Sequence, residues 1–127
     1  VDETCAYAQE RVVMGKPISQ YQGITFPLVE AETLLEAARL LCFKVLWMRD
    51  SGIRHTKEGA MCKWWVPEIT FEIVRKCLTI HGHYGYSSEL PFEQRLRDIL
   101  GWQIGDGTSE VSKLMVARSM FGKAGAG

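Results

Sequence analysis

Apolar residues recur along most of the chain at alternating steps of four and three, which is the spacing of one face of an α-helix. The longest series predicts a helix from Pro17 to Arg49 or Asp50, with Pro17 at its first position. A second series predicts a helix over residues 56–80, bent at Pro67. The first series comprises Ile24, Leu28, Ala31, Leu35, Ala38, Cys42 and Val45, and the second Ala60, Trp64, Pro67, Phe71, Val74 and Leu78.

Shorter segments complete the pattern. Helices are predicted over residues 3–14 and 92–100, and a last helix follows an N-cap at Thr108 or Ser109. The apolar side of that last helix is expected to comprise Val111, Leu114, Met115, Ala117, Met120 and Phe121. The sequence shows no strand-like alternation of any length. Helices joined by short loops predict an all-α fold, an up-down four-helix bundle, in a single domain over residues 1–127.

Composition narrows the choice of partners. The chain has 15 Lys and Arg against 15 Asp and Glu, so charge gives no reason to expect nucleic acid or an anionic membrane surface as a partner. No apolar run is long enough to span a bilayer, so no membrane association is expected. The four cysteines lack Cys-x-x-Cys spacing. This favours free thiols in a reducing compartment over a disulfide framework. No metal is expected, because His81 and His83 lack a nearby third ligand in the sequence.

The segment with the most chemical information is the turn before the last helix. Asp106 lies between Gly105 and Gly107, where the backbone can bring a carboxylate close to a ligand. Thr108 is suited to capping the helix, and Glu110 lies in its first turn, where an acidic residue complements the helix dipole. On these residues alone, an ordinary turn whose Asp bonds its own backbone is the simpler interpretation.

The longer segment around this turn resembles the C-terminal signature sequence of the flavin-dependent acyl-CoA dehydrogenases. Arg97-Asp98 precedes the turn Ile104-Gly105-Asp106-Gly107-Thr108-Ser109, where the family has an Arg-Asp pair and a turn containing a catalytic Glu. The resemblance implies that Asp106 is the catalytic base and that Thr108 and Glu110 contact the flavin. Arg97 and Asp98 are expected to brace the turn.

Two further segments carry the resemblance in the same order. Residues 10–22, Glu-Arg-Val-Val-Met-Gly-Lys-Pro-Ile-Ser-Gln-Tyr-Gln, are similar to the family's Glu-Arg-x-x-Phe-Gly motif, which holds the flavin's pyrophosphate and adenine. Residues 79–85 are similar to a Gln-x-x-Gly-Gly-x-Gly loop that reaches the flavin of a neighbouring subunit. The cofactor residues implied by these two segments are Arg11, Val13, Met14, Ile18, Gln22, Thr79, Gly82 and His83. Arg11, taken as a single residue, is also compatible with an ordinary ion pair.

The sequence departs from the family pattern at Asp106, which replaces Glu, and at Gly105, which stands where tyrosine is usual. Loss of the large side chain suggests an acyl pocket at Gly105 and Gly107 that admits a bulkier group, such as a ring carried on the thioester carbonyl. Because Asp is shorter than Glu by one methylene, the substrate or the loop must shift by about 1.5 Å for Asp106 to reach the α-proton.

The family implies a homo-oligomeric FAD oxidoreductase of fatty acid metabolism, a dimer or a homotetramer, that passes electrons to an electron-transfer flavoprotein. It implies a bacterial cytoplasmic or mitochondrial matrix location. It also implies an earlier part of the first helix, an N-terminal helical domain and a middle β-domain outside this chain, so the isolated domain should be inactive. An acyl-CoA oxidase, a monooxygenase-like relative and a non-catalytic oligomerisation domain remain open alternatives.

Overall fold

The computed structural model describes residues 1–122, which are helical apart from one small hairpin and the connecting turns. The all-α prediction is confirmed. The helices are α1 (Asp2–Glu10), α2 (Gln22–Asp50), α3 (Thr56–His81), α4 (His83–Tyr86), α5 (Phe92–Ile104) and α6 (Ser109–Phe121). Among these residues, no helix is both long and apolar enough to cross a membrane.

Helix α3 is the centre of the fold, because α2, α5 and α6 all pack against it. Every position of the predicted α2 series is buried or half-buried, so that series is confirmed as a packing face. The core cluster joins Leu28 and Ala31 of α2 to Ile73 and Cys77 of α3 and to Phe92 of α5. Burial of these apolar side chains is the main source of stability.

The predicted boundaries near the first turn are wrong. Helix α1 ends at Glu10, and the strands β1 (Val12–Val13) and β2 (Lys16–Pro17) form an antiparallel hairpin where helix was expected. Met14 and Gly15 have φ values of 51° and 80°, the left-handed backbone of a tight two-residue hairpin turn. Pro17 therefore lies in a strand, and a 3-10 turn over Ile18–Gln20 precedes α2.

Helix α6 presents a different face from the one predicted. Its buried residues are Ser109 and Ser112, whereas Val111, Met120 and Phe121 are more than half exposed. Small side chains let α6 approach α3 closely, and this packing overrides the apolar pattern. Helix α5 also runs to Ile104, four residues beyond its predicted end.

Helix α2 carries a second set of apolar residues on the side away from α3. Phe26, Val29, Leu40, Phe43 and Trp47 are each at least 57% exposed. Their positions repeat at heptad spacing, with Thr33 and Glu36 filling the series. We call these five apolar residues the outer stripe.

Candidate functional site

A cleft of about 480 Å³ opens where the hairpin meets the C-terminal end of α3. Arg11, Val13 and Ile18 line one side, and Gly82 and His83 line the other. These five residues come from the two segments that the sequence identified separately, and the fold brings them together. The cleft therefore combines one cationic side chain with apolar walls and a glycine-containing turn.

The hairpin side of the cleft is fixed by contacts around Tyr21. The Tyr21 hydroxyl donates a hydrogen bond to the Val13 carbonyl oxygen at 2.9 Å, and the Lys16 ammonium lies 4.2 Å from the Tyr21 ring centroid. The Ile18 N–H donates to the Arg11 carbonyl oxygen at 2.8 Å. These contacts hold the Arg11 backbone and the apolar wall in one arrangement.

The inner end of the cleft is formed by a buried histidine. His81 is 5% exposed and stacks on Tyr7 of α1 with ring centroids 4.3 Å apart, while Phe92 of α5 lies 4.6 Å away on a tilted plane. Its Nδ1 atom is 2.8 Å from the Cys77 carbonyl oxygen. His81 thus ties three helices together as a packing residue, and among residues 1–122 no group of three metal-ligating side chains occurs.

Gly85 completes this end of the fold for a steric reason. A Cβ atom at this position would overlap the carbonyl oxygen of Leu78 and lie 2.7 Å from the Cβ atom of His81. The backbone of α4 therefore rests directly on the last turns of α3. Gly85 is explained by packing, and it does not line the cleft.

Arg11 is exposed at the C-terminal end of α1 and, within residues 1–122, makes no ion pair. The competing interpretation of Arg11 as a salt-bridge residue therefore has no support in the fold. A guanidinium at the edge of an apolar cleft can donate two parallel hydrogen bonds to phosphate oxygens.

Of the eight cofactor residues predicted from these two segments, three lie outside the cleft lining. Thr79 donates from its hydroxyl to the Arg75 carbonyl oxygen at 2.9 Å, and Met14 is 92% exposed at the hairpin tip. Gln22 is exposed at the first residue of α2. Five residues that line the cleft were not predicted from the sequence to bind the cofactor: Tyr7, Ile24, Ile80, His81 and Tyr84. Of these, Tyr7 could have been found, because it lies one helical turn before Arg11.

The Asp106 turn is a separate region of the surface. Asp106 is exposed, with φ at 55°, and Gly107 follows with φ at 101°. The Gly105 N–H donates to the Gly101 carbonyl oxygen at 2.7 Å, which closes α5. Asp106 therefore lies in the turn between the end of α5 and the start of α6.

The predicted cap of α6 is confirmed at Thr108, whose hydroxyl oxygen accepts from the Val111 N–H at 3.4 Å. The backbone N–H of Glu110 and the Thr108 hydroxyl hold the pKa of the Glu110 carboxyl below its ordinary value. Both side chains therefore have local partners at the helix N-terminus, where an anion is favoured.

The turn lies beside the middle of α3, far along the helix from the cleft. Gln103 donates to the Pro67 carbonyl oxygen at 3.3 Å, and Lys113 pairs with Glu68 at 3.2 Å. From Pro67 to His81 the helix rises by about 21 Å. One chain therefore does not bring Asp106 and Arg11 together.

The bracing role predicted for Arg97 and Asp98 is not supported. Both side chains are exposed on α5, and within residues 1–122 neither takes part in an ion pair. The end of α5 is instead fixed to α3 by Lys63, whose ammonium donates to the Trp102 carbonyl oxygen. Trp102 itself is 63% exposed, whereas Trp64 and Trp65 are half-buried.

The chain is similar to known proteins over nearly its whole length. A family model described as acyl-CoA dehydrogenase, C-terminal domain, matches residues 1–121. The 3-(aryl)acrylate reductase of Clostridium sporogenes is 38% identical over 121 residues, covering 95% of this chain and 32% of that protein. The caffeyl-CoA reductase-Etf complex subunit CarC of Acetobacterium woodii is 37% identical over 123 residues, covering 97% of this chain and 32% of that protein.

Among solved structures, butyryl-CoA dehydrogenase from Megasphaera elsdenii matches with a TM-score of 0.91 and 30% sequence identity. The match covers 94% of this chain and 31% of that one. The chain therefore spans about a third of the length of each of these proteins.

Proposed function

Since the chain belongs to the acyl-CoA dehydrogenase family as its C-terminal domain, we propose that it serves a flavoenzyme that oxidises an acyl-CoA thioester between its α and β carbons. The observation that carries this proposal is the meeting of Arg11, Val13, Ile18, Gly82 and His83 in one cleft. The N-terminal helical and middle β-domains are proposed to lie elsewhere in the intact polypeptide, since this chain spans only about a third of its relatives.

The cleft fits the adenosine and pyrophosphate part of FAD. Arg11 has no ion-pair partner within residues 1–122, so its guanidinium is available to phosphate oxygens. Val13 and Ile18 supply an apolar wall for an aromatic base, and His83 lies opposite them. A bound flavin would supply the redox chemistry, as the acceptor of the β-hydrogen.

In this proposal Asp106 acts as the general base. Its carboxylate takes the acidic α-proton of the thioester, which requires a heavy-atom approach of about 2.6–3.2 Å. Asp106 and Gly107 have left-handed backbone, and the Asp106 side chain is exposed between the two flanking helices. Thr108 and Glu110 support the turn from the start of α6 and are proposed to face the flavin.

The proposed acyl group is bulkier than a straight chain. Gly105 leaves space where the family usually has a tyrosine, and Gly107 adds no side chain on the other side of the base. Two relatives have names that specify aromatic acids, 3-(aryl)acrylate reductase and caffeyl-CoA reductase. Both observations support a ring-bearing acyl thioester as substrate.

The same relatives favour a second candidate, reduction of an α,β-unsaturated thioester. Their names describe reductases, and the reverse reaction passes through the same transition state. Asp106 would then be protonated and deliver the α-proton. The direction depends on the electron carrier, and the CarC relative is named as part of a complex with Etf, which supports an electron-transfer flavoprotein as partner.

A homo-oligomer, a dimer or a tetramer, completes the proposal. The outer stripe of α2 exposes five large apolar side chains at heptad spacing, a pattern typical of helix pairing. A second copy could supply the Arg11 cleft to a flavin whose ring lies at the Asp106 of the first. The free thiols agree with a reducing compartment such as a bacterial cytoplasm or a mitochondrial matrix.

The experiment uses the intact protein. We expect it to purify with FAD and to reduce an artificial electron acceptor when given an acyl-CoA, more rapidly with a ring-bearing acyl group than with a straight chain of equal carbon number. Preference for the straight chain contradicts the substrate proposal. Absence of flavin and of acyl-CoA-dependent reduction in both directions contradicts the enzyme proposal and favours an assembly role.

A further inference from the structure

Two of the four cysteines lie at the same level on neighbouring helices. The ion pair between Glu30 of α2 and Lys76 of α3, at 3.2 Å, sets the register of these antiparallel helices. Cys42 lies 12 residues beyond Glu30, and Cys62 lies 14 residues before Lys76. The two positions therefore differ in height by about 3 Å at 1.5 Å per residue.

The two thiols also open onto the same groove. Cys42 and Cys62 both line a groove of about 460 Å³ between α2, α3 and α5. Burial raises the pKa of the Cys62 thiol to about 12, and the neighbouring Cys42 thiol contributes to the same shift. The two thiols are therefore close to each other, and a small oxidant can reach them through the groove that both line.

The other cysteines have a different environment. Cys77 is 3% exposed within the core cluster, and Cys5 packs against that cluster. A buried thiol in an apolar core is protected from oxidants. Cys77 is therefore an enclosed thiol that serves as an internal control. Cys5 is half-buried, like Cys42 and Cys62, but does not line their groove.

We propose that Cys42 and Cys62 form a reversible disulfide when the protein meets hydrogen peroxide. This site is independent of the proposed acyl-CoA chemistry. The disulfide would link α2 to α3 directly, at positions where neither helix has to change register. In a reducing compartment such a bond is transient and is reversed by thiols.

The reaction has two steps. The Cys42 sulfur, as thiolate, attacks one peroxide oxygen; the O–O bond breaks, and the departing hydroxide takes up a proton to become water, leaving a sulfenic acid. The Cys62 sulfur then attacks the Cys42 sulfur; the S–S bond forms, the S–O bond breaks, and the hydroxyl leaves with the Cys62 proton as water. Two thiols lose two hydrogens, and one peroxide becomes two waters. Cys42 reacts first because burial keeps Cys62 protonated.

The test treats the intact protein with hydrogen peroxide, blocks remaining thiols with N-ethylmaleimide after unfolding, and maps tryptic peptides by mass spectrometry. We expect peptides 40–44 and 58–63 to appear linked, with a mass two hydrogen atoms below their sum. The link should disappear after dithiothreitol, and Cys5 and Cys77 should remain alkylated. Two separately alkylated peptides, a link to another cysteine, or a link between two molecules would overturn the proposal.

Variants test the order of the two steps. In Cys62→Ser the sulfenic acid on Cys42 has no thiol to resolve it, so dimedone should label Cys42 strongly. In Cys42→Ser we expect no dimedone adduct on Cys62. Serine is close in size to cysteine, and an unchanged circular dichroism spectrum verifies folding. Equal labelling of both variants would overturn the assignment of Cys42 as the first sulfur oxidised.

Discussion

The cleft at the end of α3 is held by buried contacts between distant parts of the chain, whereas the Asp106 turn is held largely by hydrogen bonds over a few residues. His81 packs between Tyr7 and Phe92 beneath the cleft, but Asp106 is exposed between two helix ends. The cleft is therefore part of the folding core. The turn is a surface feature, and the chemistry proposed for it requires other parts of the intact protein.

The largest expected effect is on catalysis at the turn. Replacing Asp106 with Asn keeps the size of the side chain and removes the base, so activity of the intact enzyme should fall by about 10²–10⁴-fold. Flavin content and thermal stability should not change. Asp98→Asn, on exposed α5, is the matched control. Full activity of the Asp106 variant would mean that another group removes the proton.

The second effect concerns cofactor affinity at the cleft. Arg11→Ala should weaken FAD binding by about 10- to 100-fold, because a charge-assisted hydrogen bond contributes about 1.5–3 kcal/mol. Titration of the flavin-free intact enzyme with FAD measures this change. Arg49→Ala, at the exposed end of α2, should bind FAD normally. Equal affinities of the two variants would remove Arg11 from the FAD site.

The third effect is on stability at Gly85, where α4 packs against α3 next to the cleft. Gly85→Ala forces a Cβ atom against the Leu78 carbonyl oxygen and should lower the free energy of unfolding by about 1–3 kcal/mol. Gly101→Ala is the matched control, since no atom lies within 4 Å of its added Cβ, and it should stabilise α5 by about 0.5–1 kcal/mol. Denaturant unfolding of both variants should show changes in the free energy of unfolding that have opposite signs. Two changes of the same sign would contradict the packing described for Gly85.

The smallest expected effect is a pH dependence of the free energy of unfolding, caused by the ion pair between Glu3 of α1 and Arg95 of α5. Arg95 donates to both carboxylate oxygens of Glu3, at 2.7 and 2.9 Å, and this contact lowers the pKa of Glu3 below 4.5. A lowered pKa means that the stabilisation is present above pH 4.5 and is lost as the pH falls through the folded-state pKa.

For this exposed pair, Glu3→Gln should cost at most about 1 kcal/mol at neutral pH. The difference in free energy of unfolding between this variant and the natural protein should vanish in acid. Glu36→Gln, which affects only a pair within α2, is the control. A difference that grows in acid would contradict the assignment to the ionised Glu3.

The sequence predicted the long elements well because their packing follows from local periodicity. The predicted bounds of α3 were correct to within one residue. Every position of the predicted α2 series is buried or half-buried, as expected for a packing face. The hairpin at Met14 and Gly15 was missed, since its two strands have only two residues each and no alternation to detect. In α6 the apolar pattern was misleading, because Ser112 and not Val111 faces α3.

The site could be predicted in part. Motif resemblance identified Arg11 and Gly82, and the fold placed both in one cleft. It could not identify Ile80 and Tyr84, because their position depends on how α4 folds back on α3. The distance between Asp106 and the cleft was also beyond sequence reasoning, since it follows from where α5 docks along α3.

In the proposed oligomer, one chain contributes to two active sites, its Arg11 cleft to one and its Asp106 to another. Co-expression of Arg11→Glu chains, which repel phosphate, with Asp106→Asn chains in the intact protein tests this directly. Assays at limiting FAD should show activity in the mixed oligomer well above either variant alone, because one site in a mixed dimer then receives both natural residues. A mixture no more active than its two components would contradict the claim and place both residues in the same active site.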